Sequence, residues 1–237
     1  MAGKGGTMKS IEKIVEEQIR NWQILGKEEK KEDPPVSLIT ISREPGSGGN
    51  LVGQGLAWLL EYDLFHQQVL HEMAKSSSVN SAVLKTLDEK GISMVEDWIQ
   101  SLVNTRHLWP DRYLRHLMRI IGAIGKHGRA VVIGRGANFL LPPEKTLRVR
   151  VVAPRKIRVQ NVAREFHVAK EKAMLRVIRA ENDRQAFIRK YFNADIADPA
   201  NYDLLINTEK LSIDQAVKTV HASLKSGPLR VPGRRAA

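Results

Sequence analysis

Apolar residues recur at helical spacing from Lys9 to about Glu32: Ile11, Ile14, Val15, Ile19, Trp22 and Leu25, with Glu and Lys on the other side. Such a stripe predicts an amphipathic helix that packs on the main body or on a partner. The charged run Lys27–Asp33 and then Pro34-Pro35 end it, because proline lacks a backbone donor and disfavours helix before it. Beyond this point the pattern changes to short apolar runs. Leu38-Ile39-Thr40-Ile41 reads as a buried strand, followed by a glycine-rich turn and a helix from about Asn50 to Glu61. Helices are expected over residues 66–75 and 79–89, and a longer helical stretch from Val95 to Lys126, broken near Pro110. Ala130–Ile133, Leu147–Ala153 and Leu204–Asn207 read as further strands, alternating with helices over 155–165, 170–191 and 212–225. That alternation predicts an α/β fold with a mainly parallel sheet.

Composition adds limits to this picture. With 237 residues and 42% hydrophobic content, the chain can bury a real core, and 27% charged residues is ordinary for a globular protein. The expected division is an N-terminal helix and linker (1–35), one domain (36–226) and a basic, Pro- and Gly-containing tail (227–237) expected to be mobile. The absence of cysteine excludes disulfides, thiolate metal ligands and cysteine nucleophiles. No apolar run approaches the length of a membrane span, so no membrane partner is expected. Met1–Thr7 lacks the apolar stretch of a secretory signal, which makes the cytoplasm the expected location.

The formal net charge of +12 is regional: residues 106–190 hold 21 of the 38 Lys and Arg but only 6 of the 26 Asp and Glu. Nucleotide phosphate, nucleic acid or an acidic partner would each answer to such a surplus, as would a solvated face. The seven histidines are scattered without a metal-ligand motif, so no metal ligand is assigned. Arg148 and Arg150 alternate along one strand and so share a face.

Arg43-Glu44-Pro45-Gly46-Ser47-Gly48-Gly49-Asn50 lies between an expected strand and an expected helix. Glycines there let successive N–H groups turn toward one anion, and the helix N-terminus adds its dipole. A tight strand-to-helix turn would use the same residues. Together with Gly134-Arg135-Gly136, an Arg-rich helix and Tyr202–Thr208, this order resembles the cytidylate kinase-like family. The resemblance runs from about Leu38 to the last helix. It implies a three-layer P-loop NTPase-like fold with ATP and Mg2+ as cofactors and nucleotides as partners. It places Gly46, Ser47, Gly48, Gly49 and Asn50 on the phosphate loop, with Arg43 at its entrance. Arg135 matches the arginine of a Gly-Arg-Asp motif that holds the acceptor, and Arg179, Asp183 and Arg184 fall on the lid, flanked by Arg176 and Arg189.

The departures from that family pattern lie in the site itself. An ordinary phosphate loop reads Gly-x-x-x-x-Gly-Lys-Ser/Thr. Here Gly49 holds the lysine position, the hydroxyl position falls at about Leu51, and Gly136 replaces the aspartate after Arg135. His66 stands where relatives have an acidic residue. Arg43 or a lid arginine is a candidate replacement for the lysine, and Ser47 for the metal contact. The expected function is ATP-dependent phosphoryl transfer to a nucleoside monophosphate, CMP or dCMP by resemblance. The alternative is a kinase-like protein that binds a nucleotide or other phosphorylated ligand without catalysis. Nucleic-acid binding ranks last, since no such motif accompanies the charge.

Overall fold

The computed structural model describes residues 11–25 and 34–225. The tail 227–237 and the charged run Lys27–Asp33 lie outside the described residues.

The centre of the molecule is strand β1 (Leu38–Arg43), fully buried along its length. β3 (Ala130–Ile133) and β4 (Thr146–Val152) flank it, β2 (Asp63–Phe65) lies outside β3, and β5 (Leu204–Asn207) lies outside β4. All pairings are parallel, with Leu38 opposite Ala130 on one side and Thr146 on the other. Parallel strands need crossovers, and the helices supply them. α2 (Gly49–Leu60) follows β1, and α10 (Ile213–Lys225) packs beside α2. Helices α3 (Gln67–Lys75), α4 (Ser77–Leu84), α5 (Glu89–Arg106) and α6 (Arg112–His127) lie between β2 and β3. The short α7 (Ala137–Leu140) follows β3, and the hairpin α8 (Arg155–Glu165) and α9 (Lys170–Phe192) separates β4 from β5.

Strand alternation divides the core in two. Leu38, Ala130 and Val132 join the cluster built on α3 and α6. Ile39, Ile41, Val131, Ile133, Val149 and Val151 join the opposite cluster, built on α2 and α10. The result is three layers with helices on both faces, the P-loop NTPase-like architecture expected from the sequence. Thr40 and Ser42 share the side of Leu38, because side chains alternate along a strand. The helical stretch interrupted near Pro110 is two helices: His107 turns left-handed at the end of α5, and the Asp111 carboxylate caps α6 by accepting from Leu114 N–H at 2.8 Å.

The N-terminal helix α1 (Ile11–Leu25) packs on the main body, chiefly against α3. Trp22 is buried against His127, ring on ring at 4.5 Å, and against Phe65 at 5.6 Å. Gln18 donates to the Asp63 carboxylate at 2.7 Å. No helix among the described residues is long and apolar enough to cross a membrane.

Candidate active site

In an open parallel sheet the crevice at the carboxyl ends of the strands, where the connections diverge, is the place for a ligand. Here β1 meets that condition, with β3 on one side and β4 on the other. Its last residue, Arg43, leads into the loop Glu44–Gly48. Glu44 N–H donates to Val151 C=O at 3.0 Å, and Ser47 N–H closes a turn on Glu44 C=O. Gly46 has φ +78°, and its α-carbon lies flat against the backbone carbonyl of Arg158, where a Cβ has no room. Asn161 donates to Gly46 C=O at 2.9 Å and Thr208 to Ser47 C=O at 2.8 Å. The backbone N–H groups of Gly48, Gly49 and Asn50 donate to no acceptor among the described residues. They open α2, so unpaired donors and the positive end of the helix coincide.

Beside the loop is a cavity of about 290 Å3. Thr40, Ser42 and Arg43 of β1, Gln67 at the start of α3, Gly134–Gly136 after β3, Asn138, and Asp183, Arg184, Phe187 and Ile188 of α9 contribute to its lining. Arg43 is 9% exposed; its Nε donates to Asn50 Oδ1 and its Nη2 to Gln67 Oε1, both at 3.0 Å. Arg184 Nη1 donates to the Arg43 carbonyl at 2.8 Å. The Arg135 guanidinium lies over the Phe187 ring at 5.0 Å, and its Nε is buried without a partner. No ion pair to a carboxylate is formed by Arg43, Arg135 or Arg184 among the described residues.

Charge of one sign concentrated out of water is costly, and it moves proton affinities. Burial, then Arg184 and Arg135, push Arg43 down to about 9. Burial, then Arg150 and Arg135, push Arg184 down to about 10, with Glu181 acting the other way. Burial and then Arg43 hold the His66 imidazole below its usual range. Thr40, 2% exposed and in the cavity lining, has a hydroxyl without a partner. An orphaned hydroxyl and an orphaned guanidinium N–H beside three unneutralised arginines form a surface suited to an anion with further polar groups.

The structure brings Arg43, Arg135, Asp183 and Arg184 together in the cavity lining. Gly46, Ser47, Gly48, Gly49 and Asn50 stand behind Arg43 as the loop and do not line the cavity. Arg179 also lies outside it, exposed on the turn of α9 before Asp183. Arg176 lies over the Phe166 ring at 4.7 Å, away from the cavity. Two expectations differ from the structure. Ser47 is unsuited to a metal contact: it is 1% exposed, and its hydroxyl faces Glu44 C=O at 2.9 Å and Val151 C=O at 3.1 Å. The hydroxyl position of the loop pattern follows its lysine position directly, so it falls on Asn50, not Leu51; Leu51 is 53% exposed on α2. Arg148 and Arg150 share a face but do not line the cavity: Arg148 pairs with Asp203 at 2.6 Å, and Arg150 is buried against Ser42 and Tyr202.

Gly136 also has a physical reason. A Cβ there would collide with the ring of Phe192, which stacks on Phe139 at 5.1 Å. The aspartate of the Gly-Arg-Asp pattern is therefore replaced by aromatic packing.

A family model described as the cytidylate kinase-like family matches residues 38–210, a span that contains the loop, the arginine cluster and the α8–α9 hairpin. The chain belongs to the cytidylate kinase-like family. It is 23% identical over 189 residues to a cytidylate kinase of Ignicoccus hospitalis, covering 80% of this chain and 99% of that one. It is 27% identical over 190 residues to a cytidylate kinase of Pyrococcus horikoshii, covering 79% and 88%. A solved structure of an uncharacterized protein from Eubacterium ventriosum superposes with a TM-score of 0.61 at 19% identity, over 80% of this chain and 98% of that one. As a member of this family the chain is kinase-like from β1 through β5, while its loop and acceptor motif carry the departures described above.

Proposed function

We propose that this cytidylate kinase-like protein transfers the γ-phosphoryl group of ATP to a nucleoside monophosphate, with CMP or dCMP as acceptor. The observation that carries this reading is the convergence of Arg43, Arg135 and Arg184 on one cavity without carboxylate partners. Phosphoryl transfer asks a protein mainly for position and positive charge. The unpaired N–H groups of Gly48, Gly49 and Asn50 cradle the donor phosphates. Arg135 holds the acceptor phosphate, and Arg184, with Asp183 beside it, closes over the transferring group from α9. The bond from the γ-phosphorus to its bridging oxygen breaks, and a new one forms to an oxygen of the acceptor phosphate, leaving two diphosphates. The names of the archaeal relatives support a cytidine acceptor.

The residues at the loop do not make a protein cage for Mg2+. Among the described residues no three His, Asp or Glu side chains converge on one point. The Glu44 carboxylate is engaged by Arg158 at 3.2 Å and Ala153 N–H at 3.1 Å. No step is therefore assigned to a protein-held metal.

A second reading, nucleotide binding without turnover, is favoured by Gly49 and by the ring of Phe192 in the place of the acceptor aspartate. A coupled ATP-consumption assay with Mg2+ against CMP, dCMP, AMP, GMP and UMP separates the two. Turnover with a cytidine acceptor, lost in Arg135→Ala, supports the kinase. Thermal stabilisation by nucleotide without turnover supports the binding protein.

A further inference from the structure

Two departures from the ordinary phosphate loop are coupled in space. Counting Arg43-Glu44-Pro45-Gly46-Ser47-Gly48-Gly49-Asn50 against Gly-x-x-x-x-Gly-Lys-Ser/Thr puts arginine in the first glycine's place and glycine in the lysine's place. A Cβ on Gly49 would lie 2.5 Å from Arg43 Cβ and 3.2 Å from Val151 Cβ. Side chains do not approach so closely, so in this backbone any side chain at 43, the arginine included, excludes a lysine at 49. On the other flank, a Cβ on Gly134 would lie 2.5 Å from Arg43 Nη1. The Arg43 side chain thus runs from the floor of one glycine to that of another.

Its two side-chain hydrogen-bond partners, Asn50 and Gln67, are neutral amides. They fix the plane of the guanidinium and leave its charge uncancelled. The N–H groups on Nη1 and the second on Nη2 have no acceptor among the described residues, and Arg43 lines the cavity. A buried cation with free donors at the edge of a loop with unpaired N–H groups is a receptor for a polyanion.

We propose that Arg43 grips the terminal phosphates of a nucleoside triphosphate in place of the missing lysine, with Gly49 leaving room for the base of its side chain and Gly134 leaving room for its guanidinium. The ligand class is a linear polyphosphate, free or carried by a nucleoside. The inference rests on the phosphoryl-transfer reading for its choice of ligand, and a binding measurement keeps the two separable.

The test is titration calorimetry of the full chain with ATP and with inorganic tripolyphosphate, without any acceptor. The variants are Arg43→Gln, which keeps a polar, hydrogen-bonding side chain and removes charge, Arg43→Ala, Gly49→Lys, and Arg43→Gly/Gly49→Lys together. Arg43→Gln lowers tripolyphosphate affinity by about 10- to 100-fold, the range of lost charge-assisted hydrogen bonds. Gly49→Lys alone weakens binding by displacing Arg43, and the double variant, which restores the ordinary pattern, recovers most of the loss. A melting transition confirms that each variant is folded. Wild-type affinity in folded Arg43→Gln or Arg43→Ala overturns the assignment. If tripolyphosphate binding depends on Arg43 but no monophosphate is phosphorylated, the arginine assignment stands and the kinase reading falls. If the wild type binds neither ATP nor tripolyphosphate, both fall.

Discussion

Arg43, Arg135 and Arg184 repel one another across a cavity that an anion would neutralise, so their charge works against the unliganded fold. Burial and the neighbouring arginines push Arg43 down to about 9 and Arg184 down to about 10, below the ordinary arginine range, so the unfolded chain holds these protons more readily than the folded one. The penalty is present in full below about pH 9 and is relieved as pH rises from there toward the ordinary arginine range. Arg135→Met keeps an apolar stem on Phe187 and removes one repulsive partner. It is expected to raise the melting temperature of the ligand-free protein by roughly 2–4 °C, the effect of about 1 kcal/mol in a chain of this size. The same variant loses its stabilisation by ATP plus CMP, and scanning fluorimetry reads both effects. Anion affinity itself should be level between pH 7 and 8 and decline above about 9, as Arg43 gives up its proton. Gly46→Ala should cost more than about 1 kcal/mol in urea unfolding, because a left-handed backbone and a backbone carbonyl both oppose the new Cβ. Arg43 and Arg135 are legible in the sequence because they stand beside glycine clusters, and Asp183 and Arg184 because they match the lid segment of the family that the chain resembles. Thr40, Gln67, Asn138 and Phe187 are not, since each is ordinary within its strand or helix and only the tertiary fold turns it toward the cavity.

At the level of elements, patterns long enough to repeat were legible and short ones were not. β3 is a continuous apolar run, β1 opens on Leu38-Ile39 and is buried throughout, and the face of α6 that carries Leu114, Leu117, Ile121 and Ile124 is buried. β2 is three residues long, which leaves no room for an alternation to show, and it forms because its neighbour β3 offers a parallel edge. On α9, Arg179 and Asp183 lie one turn apart, but the cavity begins only at Asp183, because helical phase sets a face and not its depth. Whether α1 rests on the body or on a partner was open in the sequence, and Trp22 decides it. Burying that indole between His127 and Phe65 ties α1 to the end of α6 and to β2, beside its packing on α3. Trp22→Ala is expected to destabilise the protein by about 3–5 kcal/mol in chemical denaturation. Turnover per folded molecule at low temperature should be unchanged, because no residue of α1 lines the cavity.

Across the whole molecule, part of the basic surplus of residues 106–190 is turned inward. Arg150 and Arg158 are 5% and 4% exposed, and Arg158 is neutralised by Glu44 and Glu181. Arg135 and Arg184 face the cavity between the sheet and the α8–α9 hairpin. The sequence shows how much charge this region carries but not which way it faces: these arginines turn inward, while Arg155, Arg164, Arg176 and Arg179 stay exposed. The family membership and the cavity meet in one claim, that phosphoryl groups move between nucleotides at the end of β1. The most direct test is phosphorus NMR of the full chain with ATP, Mg2+ and CMP. The account predicts that ATP γ-phosphorus signal falls as the β-phosphorus signal of CDP grows, and that Arg184→Ala slows this transfer by about 100-fold or more. Unchanged ATP, or its conversion to ADP and inorganic phosphate with CMP untouched, would contradict it.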